Sequence, residues 1–185
     1  MNNTKINNRE EFYQLIDIND YKVCAEIGVQ MGNFSECLLK SNSLTTLYLI
    51  DCWTHQENYL DMANVNNAQQ EYYYRHVLRK FKSDSRVKIV KDFSSKACSV
   101  FDNSSFDFIY LDADHSYDAI KNDIENWYGK LRSGGMMAGH DYFNGVVPQG
   151  NFGVKTAVDE FVQKHNYTLY LTNEEQWQSW YFFKQ

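Results

Sequence analysis

One stretch near the start of the chain, Val23 to Ser35, limits the fold more than any other: V-C-A-E-I-G-V-Q-M-G-N-F-S. Its first half is a short apolar run with β-branched residues, the pattern of a buried strand. Gly28 and Gly32 then punctuate a turn, and Asn33 or Ser35 can cap a helix carrying Phe34, Leu38 and Leu39 on one face. Strand, glycine turn and helix start together make a ligand cradle. The glycines admit a ligand to the backbone, and the first helical N–H groups have no partner within the helix. Spacing and charge narrow the choice of ligand. A dinucleotide fingerprint needs G-x-G-x-x-G, but Gln30 occupies the middle glycine position. Glu26, at the strand end, would repel a phosphate and suits a ligand with an ammonium group.

The rest of the chain repeats this alternation. T-T-L-Y-L-I-D (45–51), R-V-K-I-V-K-D (86–92), F-D-F-I-Y-L-D (106–112) and M-M-A-G-H-D (136–141) read as four more buried strands. Phe12, Leu15 and Ile16 predict a short leading helix over 9–18, covering one edge of the first strand. Tyr74, Val77, Leu78 and Phe81 mark another helix. Tyr117, Ile120, Ile124, Trp127 and Leu131 mark a third, with Ser116 as its cap and R-S-G-G (132–135) ending the unit. Val154, Ala157, Val158, Phe161 and Val162 mark a fourth, and Y-T-L-Y-L with W-Y-F-F closes the chain as an antiparallel hairpin. Two segments break the pattern: 53–67, polar with scattered aromatics, and 143–153, glycine-rich with Pro148. Both flank the ligand crevice as lids, the second as a mobile flap. Five strands alternating with helices, then two in succession, predict one α/β domain over 1–185, with a mostly parallel sheet and an antiparallel edge.

In such a sheet, ligands bind beyond the carboxyl ends of the strands. Those ends carry Glu26, Asp51, Asp92, Asp112 and Asp141. Carboxylates repel one another, so a set of them at successive strand ends points to a ligand or cation that uses them. Asp51 ends the second strand, where an acid can accept both ribose hydroxyls; Asp92 and Ser94, after the third, can reach a base. L-D-A-D-H-S-Y (111–117) and A-G-H-D-Y (138–142) add Asp114, His115 and His140. Either histidine can serve as general base or as an orienting partner.

E-I-G-V-Q-M-G-N-F-S resembles the first motif of the class I S-adenosylmethionine (SAM)-dependent methyltransferases. F-D-F-I-Y-L-D-A-D-H-S-Y-D-A-I-K-N-D-I, K-L-R-S-G-G-M-M-A-G-H-D-Y and F-G-V-K-T-A-V-D-E-F follow in family order. They are similar to a branch of small enzymes that O-methylate sugars and other hydroxylated metabolites. The resemblance runs from about Val23 to about Phe161. It implies a Rossmann-like, doubly wound, seven-stranded sheet in the order 3-2-1-4-5-7-6, with helices on both faces. It implies SAM as cofactor, held at Glu26, Gly28, Gly32, Asn33, Phe34, Ser35, Asp51, Cys52, Trp53, Asp92, Ser94 and Asp112. Asp112, His115, His140 and Asp141 are the implied catalytic set, and a small hydroxylated molecule, for instance a sugar, the acceptor. Related metal-dependent O-methyltransferases hold a divalent cation at positions matching Asp112, His140 and Asp141. There His140 departs from the usual oxygen ligand, and imidazole favours softer metals than Mg²⁺. Two other classes stay open. A nicotinamide-dependent oxidoreductase has Gln30 and Glu26 against it, and a non-catalytic SAM-binding protein would keep the cradle without turnover.

Composition excludes several partners. A net charge of −6 argues against nucleic acid, whose binders usually carry a basic face. No apolar stretch approaches membrane-spanning length, and M-N-N-T-K-I-N-N has no apolar signal region. Cys24, Cys37, Cys52 and Cys98 form no C-x-x-C pair, which suits free thiols in a reducing, cytoplasmic setting. A homo-oligomer is compatible with all of this.

Overall fold

The computed structural model describes residues 5–57, 59–148 and 150–185. A 3-10 turn at Arg9–Glu11 leads into α1 (Phe12–Ile18), β1 (Val23–Ile27), α2 (Asn33–Leu38), β2 (Thr46–Asp51) and α3 (Asn67–Lys80). Then come β3 (Val87–Lys91), α4 (Ser94–Cys98), β4 (Phe106–Leu111), α5 (Tyr117–Tyr128) and β5 (Leu131–Gly139). The chain ends with β6 (Asn144–Val147), β7 (Gly150–Gly153), α6 (Val154–His165), β8 (Tyr170–Leu171) and β9 (Trp180–Phe183).

Period-two alternation along apolar strands builds a sheet buried on both faces. In β4, Phe108 and Tyr110 enter the layer that holds Phe12, Leu15, Phe34 and Val77. Ile109 and Leu111 enter the opposite layer, with Ile120, Ile124, Trp127 and Val158. The seven-stranded sheet has the order β3-β2-β1-β4-β5-β9-β8, in which β9 runs antiparallel to both its neighbours. This is the Rossmann-like order expected above. The last two strands are eighth and ninth in the chain because β6 and β7 pair separately. The order reverses between β1 and β4, which places the crevice at their carboxyl ends.

Local expectations change at four places. α1 crosses the sheet face instead of guarding the edge of β1: the Phe12 ring lies 5.7 Å from Phe108, 5.4 Å from Tyr110 and 5.7 Å from Tyr181. α2 is capped by Gly32 at φ +71°, so Asn33 is the first helical residue and Ser35 lies inside the helix. α5 stops at Tyr128. Leu131 instead pairs with Phe106, and a register shift before the Phe108–Met136 pair absorbs Arg132–Gly135 within β5. The glycine-rich segment after β5 is the β6–β7 hairpin, not an open loop, and Phe152 within it is buried. Among the described residues, no helix is long and apolar enough to cross a membrane. The four cysteines are free.

Candidate active site

The carboxyl ends of β1, β2 and β4 open on a cavity of about 430 Å³, the size of a small-ligand site. Two ladder bonds continue past the strands and fix its floor. Gly28 N donates to Ile50 O (2.8 Å) and Asp112 N donates to Ile27 O (2.7 Å). On one side Glu26, Gly28, Asn33 and Phe34 form the wall; Asp51, Cys52 and Ser94 form another part, and Asp112 stands between.

Asp51 also organises the loop above it. Its Oδ2 accepts from the Val29 and Gln30 N–H groups at 2.9 Å each, and its Oδ1 from Trp53 N at 2.8 Å. Glu26 is 2% exposed and accepts from the Ser35 hydroxyl at 2.5 Å. Burial pushes its carboxyl up to about 8. Four expected cofactor contacts lie off this wall. Ser35 is spent on Glu26, as described. The space a Cβ would take at Gly32 is filled by the Phe81 ring, 2.6 Å away. Trp53 turns into the core, donating from Nε1 to Gln30 O (2.8 Å) and packing 5.0 Å from the Tyr74 ring. Asp92 pairs with Lys96 (3.2 Å).

His115 is the hub of the charged end. Nε2 lies 3.0 Å from Asp141 Oδ2 and 3.3 Å from Asp112 Oδ1, while Nδ1 lies 3.3 Å from Asp61 Oδ2 and 3.4 Å from the Tyr59 hydroxyl. Its ring stacks on Phe152, with centroids 5.0 Å apart. Burial alone would lower the imidazole's pKa. The hydrogen bonds to Asp112, Asp141 and Asp61 outweigh that and hold it well above 6.5. Burial raises the Asp112 and Asp141 carboxyls, but the histidines opposite them prevail and keep both below the usual range. At neutral pH this is an imidazolium clasped by carboxylates.

His140 meets this cluster through Asp141. Its Nδ1 lies 2.9 Å from Asp141 Oδ1, the carboxylate oxygen that His115 does not use. Among the described residues, Asp112, His115 and Asp141 offer ligand atoms that all lie within 4.8 Å of one another. The candidate metal set therefore exchanges His140 for His115. Two oxygens and one imidazole nitrogen fit a borderline ion such as Fe²⁺ or Zn²⁺ better than Mg²⁺.

Sequence reasoning missed Arg9, Asp61 and Asp123 as parts of the site, whereas Tyr59 and Phe152 reach His115 from the two segments, 53–67 and 143–153, expected to flank the crevice. Arg9 Nη1 reaches Asp112 Oδ2 (3.1 Å), bringing a residue 103 positions away into the cluster. Asp61 arrives on the irregular segment after β2, which a bridge to Gly150 holds in place. Asp123 accepts from the Ser94 hydroxyl at 2.5 Å at the far end of the cavity, where burial pushes its carboxyl up to about 6. None of these has a local motif. Asp123 alone carried a signal, as an acid one residue before Ile124 on the apolar face of α5.

A sequence profile of a family described as methyltransferase domain matches residues 25–142. No curated protein sequence matches the chain. Among solved structures, a Staphylococcus aureus protein provisionally described as a caffeoyl-CoA O-methyltransferase aligns with a TM-score of 0.68 at 17% identity, covering 95% of this chain and 82% of its own. The N-methyltransferase NodS from Bradyrhizobium japonicum aligns at 0.64 and 14%, covering 95% and 94%. Spermidine synthase from Thermotoga maritima aligns at 0.64 and 14%, covering 96% and 61%. At these identities the likeness is one of fold, and the fold serves more than one chemistry.

Proposed function

The chain belongs to the methyltransferase-domain family, with SAM as its cofactor, and on that premise we propose that it methylates a hydroxyl of a small molecule. The observation that carries this reading is the Asp112–His115–Asp141 group, set at the ends of adjacent parallel strands beside the cavity. An alcohol is a poor nucleophile until its proton can leave, and this group is built to receive or hold a proton. The acceptor oxygen attacks the sulfonium methyl in line; the C–S bond breaks and S-adenosylhomocysteine departs. His115, in its neutral form, takes the hydroxyl proton. Asp112, Asp141 and Asp61 orient its ring, and His140 fixes the second oxygen of Asp141. Because the carboxylates hold His115 protonated, kcat is expected to rise with pH above neutrality, toward the folded pKa of the imidazole.

A second reading rests on the same triad. A resident divalent ion would be held by Asp112, His115 and Asp141 and would supply Lewis-acid activation of the hydroxyl. The two readings part under chelation. His115 and Arg9 already balance the Asp112 and Asp141 carboxylates, so turnover is expected to survive exhaustive chelation. Loss of activity that Fe²⁺ or Zn²⁺ restores would transfer the role to a metal. The acceptor class is tested with methyl-labelled SAM and paired hydroxyl and amine acceptors of similar size; label confined to amines would reject the hydroxyl reading.

Glu26 gives a prediction about the cofactor. Its carboxyl is neutral below about 8, and ionisation of the buried group costs stability as pH climbs from 4.5 through about 8. The ammonium of SAM would favour the charged form. At pH 7, SAM binding is therefore expected to release roughly one proton per site. Calorimetry in buffers of different ionisation enthalpy measures that number. Glu26→Gln should abolish the release, and an unchanged release in that variant would assign the proton elsewhere.

A further inference from the structure

The cavity wall is rich in acids. Glu26, Asp51, Asp61, Asp112, Asp114 and Asp123 all line it; of its cationic side chains among the described residues, His115 already faces Asp61, Asp112 and Asp141 with its two nitrogens, which leaves Arg9. SAM is not one-signed. Its ammonium and sulfonium suit such a wall, but its methionine carboxylate does not. That carboxylate is bonded to the same carbon as the ammonium, so it must lie near whichever acid receives the ammonium. A carboxylate left there without a cation would be repelled and unpaired, which is costly away from bulk water.

From this charge pattern we infer that Arg9 receives the methionine carboxylate of SAM and makes the site selective for a carboxylate-bearing sulfonium. The inference rests on the cofactor reading above. The guanidinium stands at the Glu26–Asp112 end of the cavity. One N–H goes to Asp112 at 3.1 Å, and Cζ lies over the Phe34 ring, 4.9 Å from its centroid. A guanidinium has five N–H donors in a planar fork that matches a carboxylate, so the bond to Asp112 leaves donors for a second partner. Its side chain is 30% exposed, open enough to meet a ligand.

The turn that carries Arg9 is fixed from both sides. Ile6 is buried in the core, and Asn173 N donates to Asn7 O at 3.0 Å. Asn7 N donates to Glu11 Oε2 (2.8 Å), and the Asn8 side chain caps the turn through Glu10 N (3.0 Å). A preorganised guanidinium loses little freedom on binding. Asp112 then has two uses: it holds Arg9 on one oxygen and faces His115 with the other.

Decarboxylated SAM separates this role from a structural one, because it keeps the ammonium, sulfonium, ribose and adenine and lacks only the carboxylate. Calorimetry on the full chain would compare SAM and decarboxylated SAM with wild type, Arg9→Ala and Arg9→Lys. Arg9→Ala is expected to weaken SAM about 10- to 100-fold, the worth of a charge-assisted hydrogen-bonded pair, and to leave decarboxylated SAM within about twofold. Arg9→Lys should recover part of the SAM affinity, since it keeps the charge and loses the fork. If Arg9→Ala does not fold, Arg9→Gln is read in its place. Equal losses for both ligands, or no loss for either, would overturn the inference while leaving the cofactor reading intact. Wild type that binds neither ligand nor S-adenosylhomocysteine would overturn both.

Discussion

Replacing His115 with alanine is expected to lower the melting temperature by roughly 6–20 °C. The estimate takes about 3–5 kcal/mol for breaking a buried charge cluster and about 2–4 °C per kcal/mol for a domain of this size. The loss comes from what remains: Asp61, Asp112 and Asp141 would face one void, with Arg9 as the cation left beside Asp112. The sign of the pH dependence follows from the direction of the shift. The folded pKa of His115 lies well above 6.5, so its stabilisation is fully present below 6.5 and declines as pH rises through the folded value. Asp112 and Asp141 shift the other way, so their contribution is present above 3.8 and is lost as pH falls through their lowered values. The gap between wild type and His115→Ala should thus be widest near pH 5–6 and narrow on the alkaline side. Turnover should fall about 10²–10⁴-fold, the usual worth of a general base. Thermal melts across pH, with activity at each point, test this. A gap below about 1 kcal/mol, or one that ignores pH, would show that His115 is not the cation holding this cluster together.

The strands were legible because burial on both faces writes apolar runs into the sequence, and each run ended on an acid that could be numbered. That placed Glu26, Asp51 and Asp112 on one cavity before any coordinates. The same logic failed where a residue's direction depends on packing. Trp53 follows Asp51 closely, yet a backbone at φ +41° turns its ring into the core. Asp141 also adopts a left-handed conformation, φ +53°, which aims its carboxylate at both His115 and His140. Arg9 and Asp61 were illegible for another reason. They reach Asp112 and His115 across 103 and 54 residues, from a short turn and an irregular segment whose sequences carry no period. Ligand-facing residues on strands have a register to betray them; residues on connecting segments do not.

The glycine turn shows the same limit in a single residue and yields the second prediction. Gly28 reads as a gap left for a ligand. It does line the cavity, but a Cβ there would lie 2.0 Å from Asp112 O, 2.4 Å from Asp112 C and 2.8 Å from Ala113 Cα. All three are backbone atoms, so no side chain can move aside. The missing Cβ lets the end of β1 lie against the end of β4, the approach that brings Glu26 near Asp112 and Arg9. Gly134 is the matched control. It has a similar φ, +75° against +88°, but a Cβ there would meet only Arg132 Nη1 at 3.4 Å. Gly134→Ala should cost about 1–2 kcal/mol, the penalty of a left-handed backbone for an L-residue. Gly28→Ala should cost about 2–5 kcal/mol, because overpacking against fixed backbone adds to the same penalty. The functional difference should be larger. Separating β1 from β4 moves Asp112 relative to Glu26 and Asp51, and a displacement near 1 Å can cost on the order of 10²-fold in rate. Gly28→Ala is therefore expected to lose SAM affinity and turnover together, while Gly134→Ala keeps both. Denaturant titration and SAM calorimetry on the two variants decide it. Equal stability losses with SAM binding intact in Gly28→Ala would mean that β1 and β4 can part without harm, and that the glycine serves its backbone conformation alone.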